Sequence, residues 1–145
     1  MIRGDKNQVK IGQLTNIQDR AVISTAGELE SGFPASVHIG DSVTIGHGAL
    51  LTSCVVKDNT LIGQGAIISA GAEIGSNTII AAGAVVLPDT LVPDNQLWAG
   101  NPAKFIRNVT EEEIANLEKS AEFYSQLSKD HQDEHVDDSD LHNAK

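Results

Sequence analysis

Aliphatic residues recur along this chain every six positions. The series begins at Ile11, Ile17 and Ile23, is interrupted, and then continues through a second run that includes one five-residue step. That run consists of Ile39, Ile45, Leu51, Val56, Ile62, Ile68, Ile74, Ile80, Val86 and Val92. The position four residues after the aliphatic one holds Thr, Ala or Val in eleven of these hexads. Such a regular series indicates an internal structural repeat.

A period of six fits neither an α-helix nor one long strand. It fits short strands joined by tight corners, with three strands and about eighteen residues to each coil. Each aliphatic side chain then points inward and stacks on its equivalent in the coil below. Gly follows the aliphatic residue at five positions, where a sharp corner favours a residue without Cβ: Gly12, Gly40, Gly46, Gly63 and Gly75. The pattern predicts an all-β fold, a single-stranded parallel β-helix of hexapeptide repeats with roughly four coils after Ile11.

The repeat also predicts how the chain is organised. The β-helix is expected over residues 1–109, with one interruption at 25–36. That interruption is rich in Gly, Ser, Pro and acidic residues, so it is expected to form a loop that protrudes from a corner. A C-terminal α-helix is predicted over 110–128, and the polar, acidic stretch 129–145 is expected to be a disordered tail.

The two ends of the predicted β-helix differ. At the C-terminal end, Thr110 and Glu113 form a capping box that opens the helix. One stripe of that helix is apolar: Ile114, Leu117, Ala121 and Tyr124. At the N-terminal end the sequence enters its first hexad almost at once, and an uncovered coil edge invites pairing. Either a partner covers that edge, or N-terminal coils are missing from this chain.

Composition narrows the functional classes. Apolar residues make up 40% of the chain but aromatic residues only 3%, so the core must consist of small and aliphatic side chains. The net charge is −10 and is concentrated in residues 110–145, which contain three basic and eleven acidic residues. No basic surface is large enough to bind nucleic acid. No run of 18 apolar residues is present to span a membrane. The single cysteine, Cys54, is expected to be a core residue in a reducing compartment.

Several stretches of the sequence, taken together, resemble the γ-class carbonic anhydrases. They are "RGD" at 3–5, "NIQD" at 16–19, "IGDSVTIGHGALLTSC" at 39–54, "LIGQGAII" at 61–68 and "LWAGNPAKFIRNVTEEEI" at 97–114. The resemblance implies a left-handed β-helix and a trimer with zinc at its subunit interfaces. In that family the metal lowers the pKa of a bound water to about 7, and the resulting hydroxide attacks CO2.

The family pattern implies three imidazole ligands for each zinc. At the three corresponding positions this sequence has Ser24, His47 and Thr52, so only one imidazole is retained. Hydroxyl groups are weak neutral donors, and this chain alone is not expected to hold zinc. The resemblance further implies that His47 belongs to one subunit and the other two positions to its neighbour. Zinc is then expected only at an interface shared within a heterotrimer, and no other cofactor is expected.

The resemblance assigns roles to five further residues. Gln18 and Asp19 match positions that orient the zinc-bound water, and Asn101 is expected to approach the same pocket. Without zinc, Gln18 and Asp19 are expected to bond across the interface instead. Arg3 and Asp5 match positions that form ion pairs between subunits.

Simpler explanations exist for some of these residues. His47 would also be explained as a corner residue with a backbone partner. His38 lies half a coil away from His47 and is expected on another face, so it is a poor replacement ligand. The H-x-x-E-H pattern at residues 131–135 is typical of one class of metallopeptidase, but no domain surrounds it.

The leading hypothesis is therefore a non-catalytic structural or assembly subunit of a heterotrimer. The helix sequence is similar to those of mitochondrial family members that sit on respiratory complex I. This implies paralogous subunits and the complex I membrane arm as partners, at the matrix side of the inner membrane, although no targeting peptide is visible. The first alternative is an active zinc carbonic anhydrase with unconventional ligands. The second is a hexapeptide acyltransferase, which needs a catalytic histidine facing an acyl-CoA groove.

Overall fold

The computed structural model describes residues 2–3, 9–25 and 36–134, with side chains described at 9–25 and 36–123. Nearly all of the predicted loop at 25–36, and the tail from residue 135 onward, lie outside these ranges. Within them the chain forms sixteen short strands followed by one helix, α1 (Glu111–Glu134). The strands are β1 (Ile2–Arg3), β2 (Val9–Ile11), β3 (Asn16–Ile17), β4 (Val22–Ser24), β5 (Val37–Ile39), β6 (Thr44–Ile45), β7 (Leu50–Thr52), β8 (Val55–Val56), β9 (Leu61–Ile62), β10 (Ile67–Ile68), β11 (Glu73–Ile74), β12 (Ile79–Ile80), β13 (Val85–Val86), β14 (Leu91–Val92), β15 (Gln96–Ala99) and β16 (Lys104–Asn108).

The strands lie on three faces of a prism. Face A contains β1, β4, β7, β10 and β13; face B contains β2, β5, β8, β11 and β14; face C contains β3, β6, β9, β12, β15 and β16. Three consecutive strands, one on each face, make one rung, and strands β1 to β15 make five rungs. Pairing between rungs is parallel, as where Ile62 lies opposite Ile45 on one side and Ile80 on the other. The predicted left-handed parallel β-helix with a C-terminal helix is confirmed.

The core is a column of aliphatic side chains along the prism axis. From Ile23 to Val92, every member of the six-residue series is buried. Fully burying one such side chain contributes about 1.5–3 kcal/mol. Ile11 is 37% exposed, because β2 is an edge strand with a paired neighbour, β5, on one side only. A strand of the β-helix precedes the hexad series that begins at Ile11, since Ile2 on β1 pairs with Ile23 on β4.

Glycine is needed at the corners for two different reasons. Gly65 has φ +70°, and a Cβ there would meet nothing within 4 Å. Gly63 follows the inward Ile62, and its Cβ would lie 2.5 Å from the amide nitrogen of Ala82 on the next rung. The glycine after the aliphatic residue is therefore needed for the close approach of the next rung. From the sequence alone, this glycine was expected because of the sharp corner.

We expect Gly63→Ala to destabilise the fold more than Gly65→Ala. Gly65→Ala places a Cβ in the left-handed region at a cost of about 1–2 kcal/mol. Gly63→Ala forces the backbone of the next rung to move, and we expect roughly 3 kcal/mol or more. Urea unfolding of both variants at one protein concentration measures the difference. Equal losses would contradict the close-approach explanation.

Helix α1 is fixed at its start by a reciprocal cap. The amide of Glu113 donates to Oγ1 of Thr110 at 3.1 Å, and the amide of Thr110 donates to Oε1 of Glu113 at 3.0 Å. The Arg107 guanidinium donates to both carboxylate oxygens of Glu113, at 2.6 and 2.9 Å. The predicted capping box is thus present, with an added arginine from β16. These bonds, led by those from Arg107, lower the pKa of Glu113 from 4.5 to about 2.

The helix runs back over face C towards the first rung. Ala121 is fully buried, and Nδ2 of Asn59 donates to the carbonyl oxygen of Ile114 at 3.3 Å. The helix contacts β3 in the first rung. It continues to Glu134, through residues that the sequence analysis assigned to the tail, because 129–134 contain no Gly or Pro to end it. No helix in the described ranges is long and apolar enough to cross a membrane.

We expect acid to loosen α1 through Glu113. Because the folded-state pKa is lowered, the carboxylate stabilises the fold fully above pH 4.5, and this contribution is lost as the pH falls towards about 2. The stability difference between wild type and Glu113→Gln should therefore be largest above pH 4.5 and vanish near pH 2. Unfolding followed by helical circular dichroism measures it. Glu112→Gln is the control, since that side chain makes neither the Arg107 nor the Thr110 contact; equal pH profiles for the two variants would refute the assignment.

Candidate functional site

His47 lies at the corner between β6 and β7 and is exposed. The amide of Gly48 donates to the carbonyl oxygen of Asp19 at 2.9 Å, and the amide of Gly65 donates to that of His47 at 2.9 Å. Asp19, His47 and Gln64 therefore occupy the same corner position on three consecutive rungs. The stacking distance between neighbouring strands is about 4.8 Å. The fold thus brings His47 next to Asp19, a pairing that the sequence analysis did not predict.

Ser24 and Thr52 end the neighbouring strands β4 and β7 on face A. Their Cα atoms are direct partners in the parallel register, and both residues are half-buried. The two hydroxyl residues that stand at implied zinc positions are therefore adjacent. His47 lies at the corner before β7, whereas Thr52 is the last residue of that strand.

These residues do not fit a catalytic zinc within one chain. Zinc sites in proteins use cysteine sulfur, histidine nitrogen or carboxylate oxygen, and the Ser24–Thr52 pair offers neutral hydroxyls. Among the three implied ligand positions, only His47 offers an imidazole, and it precedes β7, whereas Thr52 ends that strand. Across the described ranges, no three His, Cys, Asp or Glu residues lie close enough to share a metal.

The other residues implied by the resemblance are dispersed. Gln18 directly follows the first face C strand, β3, while Asn101 follows β15 in the fifth rung. Four rung spacings of about 4.8 Å separate these levels, so one chain does not bring the two side chains together. The backbone of Arg3 pairs with that of Ser24, but its side chain and all of Asp5 lie outside the described residues. Their roles remain predictions.

Face A carries an apolar stripe that sequence reasoning missed. Its outward residues stand in register on four neighbouring strands: Val22, Leu50, Ile67 and Val85. Leu50 is 37% and Ile67 38% exposed. The signal in the sequence was an aliphatic residue directly before the inward one in each of these hexads. Only the assembled rungs show that these residues form one continuous surface.

A cleft of about 340 Å³ lies between part of α1 and face C. Its lining comes from the first three rungs and from the helix: Gln18, Thr44, Gly46, Leu61, Ile62, Gly63, Gln64, Leu117 and Ser120. The sequence analysis predicted Leu117 on the apolar stripe of the helix but predicted no cleft. The cleft adjoins the His47 corner, because Gly46 and Gln18 belong to that corner.

The chain is similar to named carbonic anhydrases over most of its length. "Gamma carbonic anhydrase 1, mitochondrial" of Arabidopsis thaliana is 44% identical over 131 residues, which cover 90% of this chain and 48% of that protein. "Probable carbonic anhydrase" of Methanocaldococcus jannaschii is 42% identical over 129 residues, covering 89% of this chain and 77% of that protein. The chain belongs to the γ-class carbonic anhydrase family. This γ-class chain spans about half the length of the plant relative.

Two further comparisons agree with the fold of this γ-class protein. The family model described as "Bacterial transferase hexapeptide (six repeats)" matches residues 53–88, which form part of the central rungs. The crystal structure of a hexapeptide transferase family protein from Anaplasma phagocytophilum superposes with a TM-score of 0.80 at 40% identity. That match covers 88% of this chain and 72% of the other.

Proposed function

We propose that this chain is a structural subunit of a γ-class assembly and lacks a complete zinc centre of its own. The observation that carries the proposal is the in-register pair of Ser24 and Thr52 on face A. The family resemblance implies imidazoles at both positions. Two adjacent hydroxyls replace them, so the half-site on face A has lost both of its zinc donors.

His47 has a different role in this proposal. It is exposed at a corner, at the other end of β7 from Thr52. An imidazole in that position is free to complete a site on a neighbouring paralogue that supplies the two missing histidines. Zinc is then held only where this chain meets such a paralogue, and the interface formed by Ser24 and Thr52 holds none.

The apolar stripe on face A supports contact with another subunit. Leu50 and Ile67 expose over a third of their surface on a sheet that α1 leaves uncovered in the described structure. A continuous exposed apolar surface of this kind marks interaction sites. Ser24 and Thr52 lie at the ends of the same strands, so docking on face A brings a neighbour against them.

We extend the proposal to a mitochondrial heterotrimer on the membrane arm of respiratory complex I, at the matrix side of the inner membrane. The printed name of the Arabidopsis relative, which includes "mitochondrial", supports the compartment. The similarity of the helix sequence to complex I-associated members supports the assembly. The name of the archaeal relative favours the alternative, an active zinc carbonic anhydrase. The metal content of the purified chain distinguishes the two proposals.

The zinc content of the purified chain tests whether it lacks zinc donors at Ser24 and Thr52. Purified alone, the wild-type chain is expected to bind far less than one zinc per protomer. Ser24→His/Thr52→His restores the implied donor set and is expected to bind about one zinc per protomer. Adding His47→Ala to that double variant should abolish the gain. Mass spectrometry of metal content after dialysis measures all three, and about one zinc per wild-type protomer, together with CO2 hydration activity, would establish the active alternative instead.

Native mass tests the role of face A. Ile67→Asp places a charge in the apolar stripe and is expected to reduce the assembly to monomers, because a buried unpaired carboxylate is costly. Leu91→Asp is the matched control, since Leu91 is 62% exposed on face B. Light scattering coupled to size exclusion measures the mass. A wild-type monomer, or an assembly that survives Ile67→Asp but not Leu91→Asp, would overturn the interface.

A further inference from the structure

The cleft between α1 and face C combines an apolar wall with hydrogen-bonding groups. Leu61 and Ile62 contribute from β9, and Leu117 contributes from the helix. The volume of about 340 Å³ falls within the range of roughly 300–1,000 Å³ typical of small-molecule sites. The fold itself creates this space, since the helix bridges three rungs and does not fill the surface between them.

Polar side chains line the cleft. The side chains of Gln18, Gln64 and Ser120 have no hydrogen-bond partner among the described residues. Beside the cleft, Oδ1 of Asn16 is buried without a partner, and Asn16 stands in register with the lining residue Thr44. Gln18 is half-buried, and Gln64 and Ser120 are exposed, so these side chains are free to bond to a ligand that enters the cleft.

The chemistry of the lining selects the ligand. No lining residue is ionisable, so the cleft offers a charged ligand no counter-charge. The side-chain amides of Gln18 and Gln64 each offer N–H donors and a carbonyl acceptor. These groups complement the donors and acceptor of another amide. We propose that the cleft binds a small neutral molecule with an apolar body and a carboxamide-type head. The head bonds to Gln18 and Gln64, and the apolar body packs between Leu61 and Leu117. This goes beyond the proposed subunit role and does not depend on Ser24, His47 or Thr52.

Benzamide and benzoate provide a matched pair of probes, since they share a shape and differ in charge. In the wild-type chain, saturation-transfer NMR is expected to detect benzamide and not benzoate. Titration with benzamide should shift the side-chain amide resonances of Gln18 and Gln64. Gln64→Leu removes one pair of hydrogen-bonding groups and should weaken benzamide binding on the order of fivefold.

Two tryptophan variants of the helix locate the site. Ser120→Trp places an indole over the cleft and should abolish benzamide binding, whereas Lys119→Trp, on an exposed position outside the lining, should leave it unchanged. Circular dichroism confirms that both variants are folded. The proposal is overturned if benzamide, cyclohexanecarboxamide and phenylurea all give no signal, if benzoate binds as well as benzamide, or if Ser120→Trp binds like Lys119→Trp. None of these results depends on zinc content or native mass.

Discussion

The register between rungs is the constraint on which the rest of this molecule depends. Each inward aliphatic residue must lie over its equivalent one rung away, as Ile45, Ile62 and Ile80 do on face C. Because the core is a single column, a shift of one residue in any strand would turn its aliphatic side chain outward. A corner can take up a change in spacing without turning an inward side chain outward. Accordingly, the single five-residue step, between Leu51 and Val56, falls at the corner that joins β7 to β8.

The same register divides the outer surface into faces with different roles. Outward residues on one face form columns along the prism, so a recurring residue type in the sequence becomes a stripe in the structure. Face C is partly covered by α1, with Ala121 buried and Asn59 bonded to the helix backbone. Face A keeps its apolar stripe exposed around Leu50 and Ile67. One strand order therefore produces both the helix-bound cleft and the uncovered surface.

The positions of three residues on the prism support the proposal that one chain holds an incomplete zinc site. His47 lies at one corner of the prism, and Ser24 and Thr52 lie at the far ends of face A strands. In the proposed assembly, a neighbouring subunit supplies the remaining donors.

The sequence by itself determined the β-helix, its inward residues and the capping box of α1. Each of these follows from local spacing, since the six-residue period and the Thr110–Glu113 pair are readable without knowing which strands meet. The sequence also places Ser24, His47 and Thr52 at the positions where the family resemblance implies zinc ligands. Only the tertiary structure decided that Asp19 stacks beneath His47, that Asn101 lies four rungs from Gln18, and that α1 leaves a cleft over face C. These are contacts between residues far apart in the chain, and their physical cause is the stacking of separate rungs, which no local spacing encodes.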